Sequence, residues 1–269
     1  MTDQKELAFR YDLFIAPVWR DRFDTVISEN IELPLEGRFL DVNCGTGAYA
    51  IDLAVRVKGK GEVVGVDPDA ERINIARAKS QVQKTKDVRF EEGPVTRLPF
   101  KDNEFDVVIG DASLLHAREI EAVWAEMIRV VRPEGKVILK LTTHGSFDEF
   151  FSIYWEALHD VGIDEEVWTS LESLIEERIT VSSAEAIAER FSLGVESFVS
   201  KEEFDFGDAR EFLESPLIAD WFLSEWMEIV PEGLRDDVLR DIAAIIERER
   251  NKTPFEVSIK ATVLAGTKK

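Results

Sequence analysis

Along the first half of the chain, apolar positions switch between two periods. Leu7, Tyr11, Phe14 and Val18, then Phe23, Val26 and Ile27, recur at helical spacing and predict helix from residue 5 to 30, with Pro17 expected to split it. Short apolar runs follow at Arg38 to Val42, Gly61 to Asp67, Val88 to Glu91, Phe105 to Gly110 and Lys136 to Leu141. Helical patterns lie between most of them: Ala48 to Val57, Ala70 to Lys84 with Asp69 as N-cap, and Glu119 to Val131, which ends before Pro133. Strands apolar on both sides and alternating with helices predict βαβ units, that is, a parallel sheet covered on both faces.

Past residue 145 the rhythm changes. Phe147 to Asp160 and Asp164 to Arg178 read as helices, and Ser182 with Glu185 forms a capping box for a helix reaching Phe191. Val195 to Phe206 reads as extended. Residues 208 to 250 read as helical, with Leu234, Val238, Ile242, Ile245 and Ile246 on one face. Then Phe255, Val257, Ile259, Ala261, Val263 and Ala265 alternate with mostly polar residues, as in an edge or antiparallel strand with one wetter face. The last two extended segments are expected to pair and complete the sheet. One domain over 1–269 is therefore expected: a helical lid at 1–35, a core at 36–145, and an elaborated half at 146–269 with a helical insertion at 208–250. The first helices could equally do no more than pack on the sheet.

Charge narrows the partners. Fifty-four acids against 33 bases give a net charge of −21, which leaves little of the basic footprint that a nucleic-acid backbone demands and disfavours anionic lipid. A small or carrier-bound substrate remains. No apolar run reaches membrane-spanning length, the start is not a secretory signal, and Cys44 is the single cysteine, so a cytoplasmic protein is expected. His116, His144, His159 and Cys44 show no metal-ligand spacing, and no metal is expected.

The chemistry-bearing stretch runs from Arg38 to Gly47. Gly45-Thr46-Gly47-Ala48-Tyr49-Ala50 fits G-x-G-x-x-G/A between a strand and a helix, and Asp67 stands at the end of the second strand, where an acid can accept both ribose hydroxyls of an adenosine ligand. These features admit NAD or S-adenosylmethionine. Three details favour the second. Asp41 lies inside the first strand, where it would not help a pyrophosphate but can serve an ammonium or sulfonium. Leu98-Pro99-Phe100 precedes the fourth strand with no room for a helix between them, and Arg132-Pro133-Glu134-Gly135 makes a tight turn into the fifth.

With these residues in view, Leu40-Asp41-Val42-Asn43-Cys44-Gly45-Thr46-Gly47 resembles the first motif of class I S-adenosylmethionine-dependent methyltransferases, and Val64-Gly65-Val66-Asp67-Pro68-Asp69 resembles their second. Leu98-Pro99-Phe100 followed by Phe105-Asp106-Val107-Val108 is similar to the branch called type 11, which includes the quinone-biosynthesis methyltransferases. Val130 to Lys136 resembles the family's L-K-P-G-G loop. The resemblance covers residues 38 to 142. It implies a Rossmann-like, doubly wound, mostly parallel seven-stranded α/β sheet with an antiparallel C-terminal strand and a helical insertion before it. It also implies a methyltransferase that carries a methyl group to O, N or C of a small, apolar or aromatic-bearing acceptor by in-line displacement, leaving S-adenosylhomocysteine.

For the site, the resemblance places Asp41, Asn43, Cys44, Gly45 and Gly47 around the methionine part of the cofactor, and Asp67 on the ribose. It places Pro68, Val95 and Thr96 near adenine and Asp111 beside the ammonium; Tyr11 either closes over the cofactor or is a core aromatic. Two positions depart from the pattern: Asn43 replaces a glycine, and Pro94 stands where an acid commonly meets the adenine amino group. His116, after the fourth strand, is the candidate general base, or else a residue that caps or packs against the next helix. His144 is a weaker second. Cys44 reads as a packed turn residue as well as a cofactor neighbour, and Asp111 as a possible helix cap. Phe147, Phe150, Phe151, Tyr154, Trp155, Trp221, Phe222 and Trp226 either line an acceptor pocket or form core. The competing functions are an NAD-dependent oxidoreductase and a non-catalytic S-adenosylmethionine-binding protein.

Overall fold

A computed structural model describes residues 3–162 and 165–269. The chain divides into two compact units, one of Met1–Thr142, Thr180–Ser200 and Ala261–Lys269, the other of Thr143–Ile179 and Lys201–Lys260.

Among the described residues, seven strands form one sheet in the order β3-β2-β1-β4-β5-β7-β6. They are β1 (Gly37–Val42), β2 (Gly61–Asp67), β3 (Val88–Glu92), β4 (Phe105–Asp111), β5 (Val131–Thr142), β6 (Val195–Phe206) and β7 (Phe255–Thr267). The first five run parallel, and β7 pairs antiparallel with β5 from Lys136↔Thr267 to Thr142↔Ala261. The wetter-faced strand is thus not an edge: β7 lies between β5 and β6. Strand five begins earlier than its pattern suggested, because Val131 pairs with Phe105 before a register shift at Arg132–Gly135.

In the first unit, α1 (Gln4–Arg10) runs through a π-turn at Tyr11–Ile15 into α2 (Ala16–Asn30). Pro17 therefore does not split the helix. The wider turn, closed when Ala16 N–H donates to Tyr11 O, sets Pro17 in the first turn of α2, where its missing N–H costs little. Then come α3 (Ala48–Val57), α4 (Ala70–Gln83), α5 (Ala117–Val130) and α8 (Val181–Arg190). Asp69 caps α4 by accepting from Glu71 N–H and Arg72 N–H. The cap of α8 is Thr180, whose hydroxyl accepts from Ser183 N–H at 3.1 Å. The expected partner Glu185 instead accepts from the Ser197 hydroxyl at 2.6 Å, which leaves Ser182 without the capping role.

The second unit holds α6 (Asp148–Asp160), α7 (Glu165–Glu176), α9 (Ala209–Glu214), α10 (Leu223–Trp226) and α11 (Arg235–Glu249). Asp164, the expected first residue of α7, lies outside the described residues. The 208–250 region is not one helix but several, with a π-turn at Ile218–Phe222 and short 3-10 turns at Met227–Ile229 and Glu232–Leu234. Most of the candidate aromatic residues of this unit are core: Phe150 of α6 stacks on Trp226 at 4.5 Å, and the Tyr154 hydroxyl donates to Trp226 O at 2.6 Å. Trp155 and Trp221 are exceptions: Trp155 is 42% exposed and paired with Trp168, and Trp221 is half-buried. No described helix is long and apolar enough to cross a membrane.

Close packing at the glycine loop is set by Phe90. Its ring lies 2.6 Å from where a Cβ on Gly47 or on Gly65 would sit, so the loop after β1 and β2 both pack with bare backbone against this one side chain of β3. Gly65→Ala should therefore overpack the sheet and lower stability by about 1–3 kcal/mol. Urea unfolding at neutral pH checks this; an unchanged midpoint would mean that Phe90 has room to move.

Candidate active site

The strand order reverses between β1 and β4, and there the carboxyl ends of the two strands open a crevice, the usual ligand position of an open α/β sheet. The loop after β1 is shaped by its own backbone. Asn43 takes a left-handed conformation (φ 61°), and its side-chain amide donates to Asp111 O at 2.7 Å, tying the ends of β1 and β4 together. The departure from glycine at this position thus adds a tether. Cys44 is buried and its N–H donates to Val66 O; burial pushes its thiol pKa well up, as expected of a packed turn residue.

Asp67 ends β2 and is fully buried. Its carboxylate accepts from Gly45 N–H at 2.7 Å and from Asp69 N–H at 2.9 Å. Gly93 N–H donates to Asp67 O, which brings the 93–96 turn beside it, with Val95 buried and Pro68, Pro94 and Thr96 exposed. His116 stands half-buried at the N-cap of α5 without a capping hydrogen bond from its side chain.

Over the glycine loop lies the N-terminal segment. A Cβ on Gly45 would meet Arg20 Nη1 at 2.6 Å and Tyr11 Oη at 2.7 Å, so these two side chains sit directly on the turn. Arg20 Nη1 donates to Tyr11 Oη at 3.2 Å, and Arg20 Nε pairs with Asp111 Oδ2 at 2.9 Å. Three further contacts hold the segment. The Thr46 hydroxyl donates to Asp12 Oδ1 at 2.5 Å, Lys79 Nζ pairs with Asp12 at 2.7 Å, and Trp19 Nε1 donates to Ser113 Oγ at 2.9 Å. Lys140, wholly buried within β5, pairs with Asp24 of α2, stands 3.9 Å from Asp111 Oδ2, and lies over the Tyr49 ring. A cleft of about 510 Å³, partly open to solvent, is lined by Asp12, Arg20, Asp24, Cys44, Thr46 and Tyr49, among others.

Within this cluster several buried polar atoms make no hydrogen bond, among them Tyr49 Oη and Asp111 Oδ2, the latter held only by its ion pairs. Both carboxylate oxygens of Asp41 are buried without a hydrogen bond, and so is Arg20 Nη2. Burial pushes the Asp41 pKa up to about 6, against the opposing pull of Arg20 and Lys140. For Asp111 burial also acts upward, but Arg20, then Lys140 and the Ser113 hydrogen bonds, hold its carboxyl below the usual range. Tyr11 rises to about 12, chiefly through burial. The sequence reading missed Arg20, Asp24 and Lys140. The available signal was a charge beside the apolar face of a helix and a lone lysine inside the run Val137-Ile138-Leu139-Lys140-Leu141.

The fold is that of a class I, Rossmann-like methyltransferase. The methyltransferase-domain family matches residues 36–186, and the chain belongs to that family. A demethylmenaquinone methyltransferase of Lactococcus lactis is 32% identical over 120 residues, 44% of this chain and 48% of that protein. The chain spans about half the length of the curated relatives it matches. Among solved structures, the YcgJ protein from Bacillus subtilis is 18% identical with a TM-score of 0.58, over 93% of this chain and 99% of its own. Geranyl diphosphate C-methyltransferase from Streptomyces coelicolor A3(2), solved with Mg2+, geranyl diphosphate and S-adenosyl-L-homocysteine, is 10% identical with a TM-score of 0.52, over 93% and 80%. Such distant likeness speaks to the fold alone.

The carboxyl of Asp41 carries a pH signature. Its folded-state pKa of about 6 exceeds the ordinary value of 3.8, so folding favours the protonated form, and stability is lost as pH rises through about 6. Relative to wild type, Asp41→Asn should gain stability over that window, by up to about 3 kcal/mol at neutral pH. Urea unfolding from pH 4 to 8 checks it. A difference that stays flat with pH would contradict the assignment.

Proposed function

We propose that the chain is an S-adenosylmethionine-dependent methyltransferase acting on a small-molecule acceptor. The observation that carries this reading is the pair of orphaned groups. An anion, Asp41, and a cationic nitrogen, Arg20 Nη2, lie buried and unsatisfied in one cluster at the glycine loop. A buried carboxylate without a hydrogen bond, and a buried guanidinium nitrogen left over from the Arg20–Asp111 pair, are costly, and a ligand that brings both an ammonium and a carboxylate relieves both at once. The methionine end of S-adenosylmethionine is such a zwitterion. NAD has no α-amino acid end, and its pyrophosphate would be repelled by Asp41.

When bound, this cofactor supplies an activated methyl group on a sulfonium, so the protein needs no nucleophile and works by positioning and by excluding water. In this reading Asp41 receives the ammonium and Arg20 the carboxylate. Gly45 and Gly47 allow close backbone approach, with Asn43 and Cys44 shaping the turn. Asp67 receives the ribose hydroxyls, and Pro68, Val95 and Thr96 border adenine. Asp111 holds Arg20 and balances its charge, Tyr11 closes over the loop, and His116 is the candidate base that takes a proton from the acceptor. A small acceptor with an apolar body is supported by the relatives named for demethylmenaquinone, and the −21 charge speaks against nucleic acid.

Calorimetric titration tests the zwitterion directly. Wild type should bind S-adenosylhomocysteine at least tenfold tighter than 5′-methylthioadenosine, which lacks the amino-acid end. Arg20→Gln and Asp41→Ala should each lose most of that preference, about 1.4 kcal/mol or more, while leaving 5′-methylthioadenosine affinity in place. Binding of NAD alone would overturn the reading. Tight binding without methyl transfer to any of a broad acceptor set would favour a non-catalytic binder.

A further inference from the structure

The second unit contains a cation that the methyl-transfer reading does not use. Arg178 lies just beyond α7, in a segment fixed when His144 N–H donates to Ile179 O at 3.0 Å. Its guanidinium stands over three rings, with centroid distances of 5.2 Å to Phe147, 5.4 Å to Phe151 and 6.0 Å to Phe222. Ring faces attract a cation but accept little of what five N–H groups can donate. Glu225, Glu177 and Asp148 act on it only through longer-range charge, and among the described residues none forms an ion pair with it. Burial consequently pushes its pKa down to about 10.

The rings are held in place by uncommon backbone. Phe147 is a non-glycine residue in the left-handed region (φ 64°), with its N–H donating to Ser258 O at 2.7 Å. Phe222 closes the π-turn Ile218–Phe222. Such features gather at functional positions, where surrounding structure over-determines them. Here Trp226 does so, packing on Phe147 at 5.3 Å, on Phe151 at 5.4 Å and on Phe222 at 5.2 Å.

A half-buried guanidinium that lies over aromatic rings and has no ion-pair partner among the described residues is suited to a planar oxyanion attached to an apolar body. The longer-range acids select further, because they tolerate one negative charge better than two or three. We propose that Arg178, with Phe147, Phe151 and Phe222, forms a binding site for the carboxylate of an apolar small molecule. The guanidinium fork donates to the two carboxylate oxygens, and the rings cover the apolar part.

Titration calorimetry with 4-phenylbutyrate, benzoate and decanoate, each against its neutral amide, and with inorganic phosphate tests the site. At least one carboxylate should bind tenfold or more tighter than its amide, with phosphate weaker. Arg178→Met should abolish that preference while the unfolding temperature holds or rises, since no ion pair is lost, and Arg178→Lys should keep part of it. If Arg178→Met loses the amide as well, retention of the preference by Arg178→Lys decides in favour of the site and its loss decides against it. Equal affinity for carboxylate and amide, binding of none of the carboxylates, or an undiminished preference in Arg178→Met would overturn the proposal. Titration of S-adenosylhomocysteine into the same wild-type sample keeps the two readings apart: its failure to bind sinks the methyltransferase cofactor site and leaves the Arg178 result standing on its own.

Discussion

The first unit is built around an imbalance of buried charge. Arg20 of α2 and the strand residues Asp41, Asp111 and Lys140 are all removed from water, and only some of their charges are matched internally. A low-dielectric interior magnifies every pairing among them and every failure to pair. The N-terminal helices are what complete the partial match, bringing Arg20 to Asp111 and Asp24 to Lys140. The same helices leave Asp41 and one nitrogen of Arg20 unanswered. Stability and ligand demand are therefore properties of one cluster, and a change that satisfies its charges internally removes the reason for it to bind.

Much of the architecture was legible because βαβ order is written in local pattern. The apolar runs from Arg38, Gly61 and Phe105 and the alternation from Phe255 map onto strands, and Asp69 onto a cap, since each depends only on neighbours in sequence. What was less legible depended on distance along the chain. Ser182 and Thr180 are equally good caps by composition, and Glu185 was drawn off by Ser197, twelve residues away. Pro17 looked like a break because a π-turn has no sequence period of its own.

The candidate site divides in the same way. Asp41, Gly45, Gly47 and Asp67 belong to one contiguous loop and the strand beside it, so spacing alone could single them out. Arg20 and Lys140 come from a helix before the core and a strand at its far side. Nothing in their local sequence states that they meet. A charge at an otherwise apolar position is the physical trace of that meeting, because burial of an ion is tolerated only where something distant compensates it.

The π-turn at Tyr11–Ile15 sets the phase of everything that precedes it. In an unbroken α-helix, residues nine apart point to opposite sides, about 180° from one another. Tyr11 and Arg20 are nine apart, yet both touch Gly45. The widened turn takes up one residue, about 100° of rotation, and so lets an aromatic ring and a guanidinium share a single glycine. The length of this segment is thereby fixed to the residue: shortened by one, it would still be a good amphipathic helix, wound so that its first two turns present the wrong side chains.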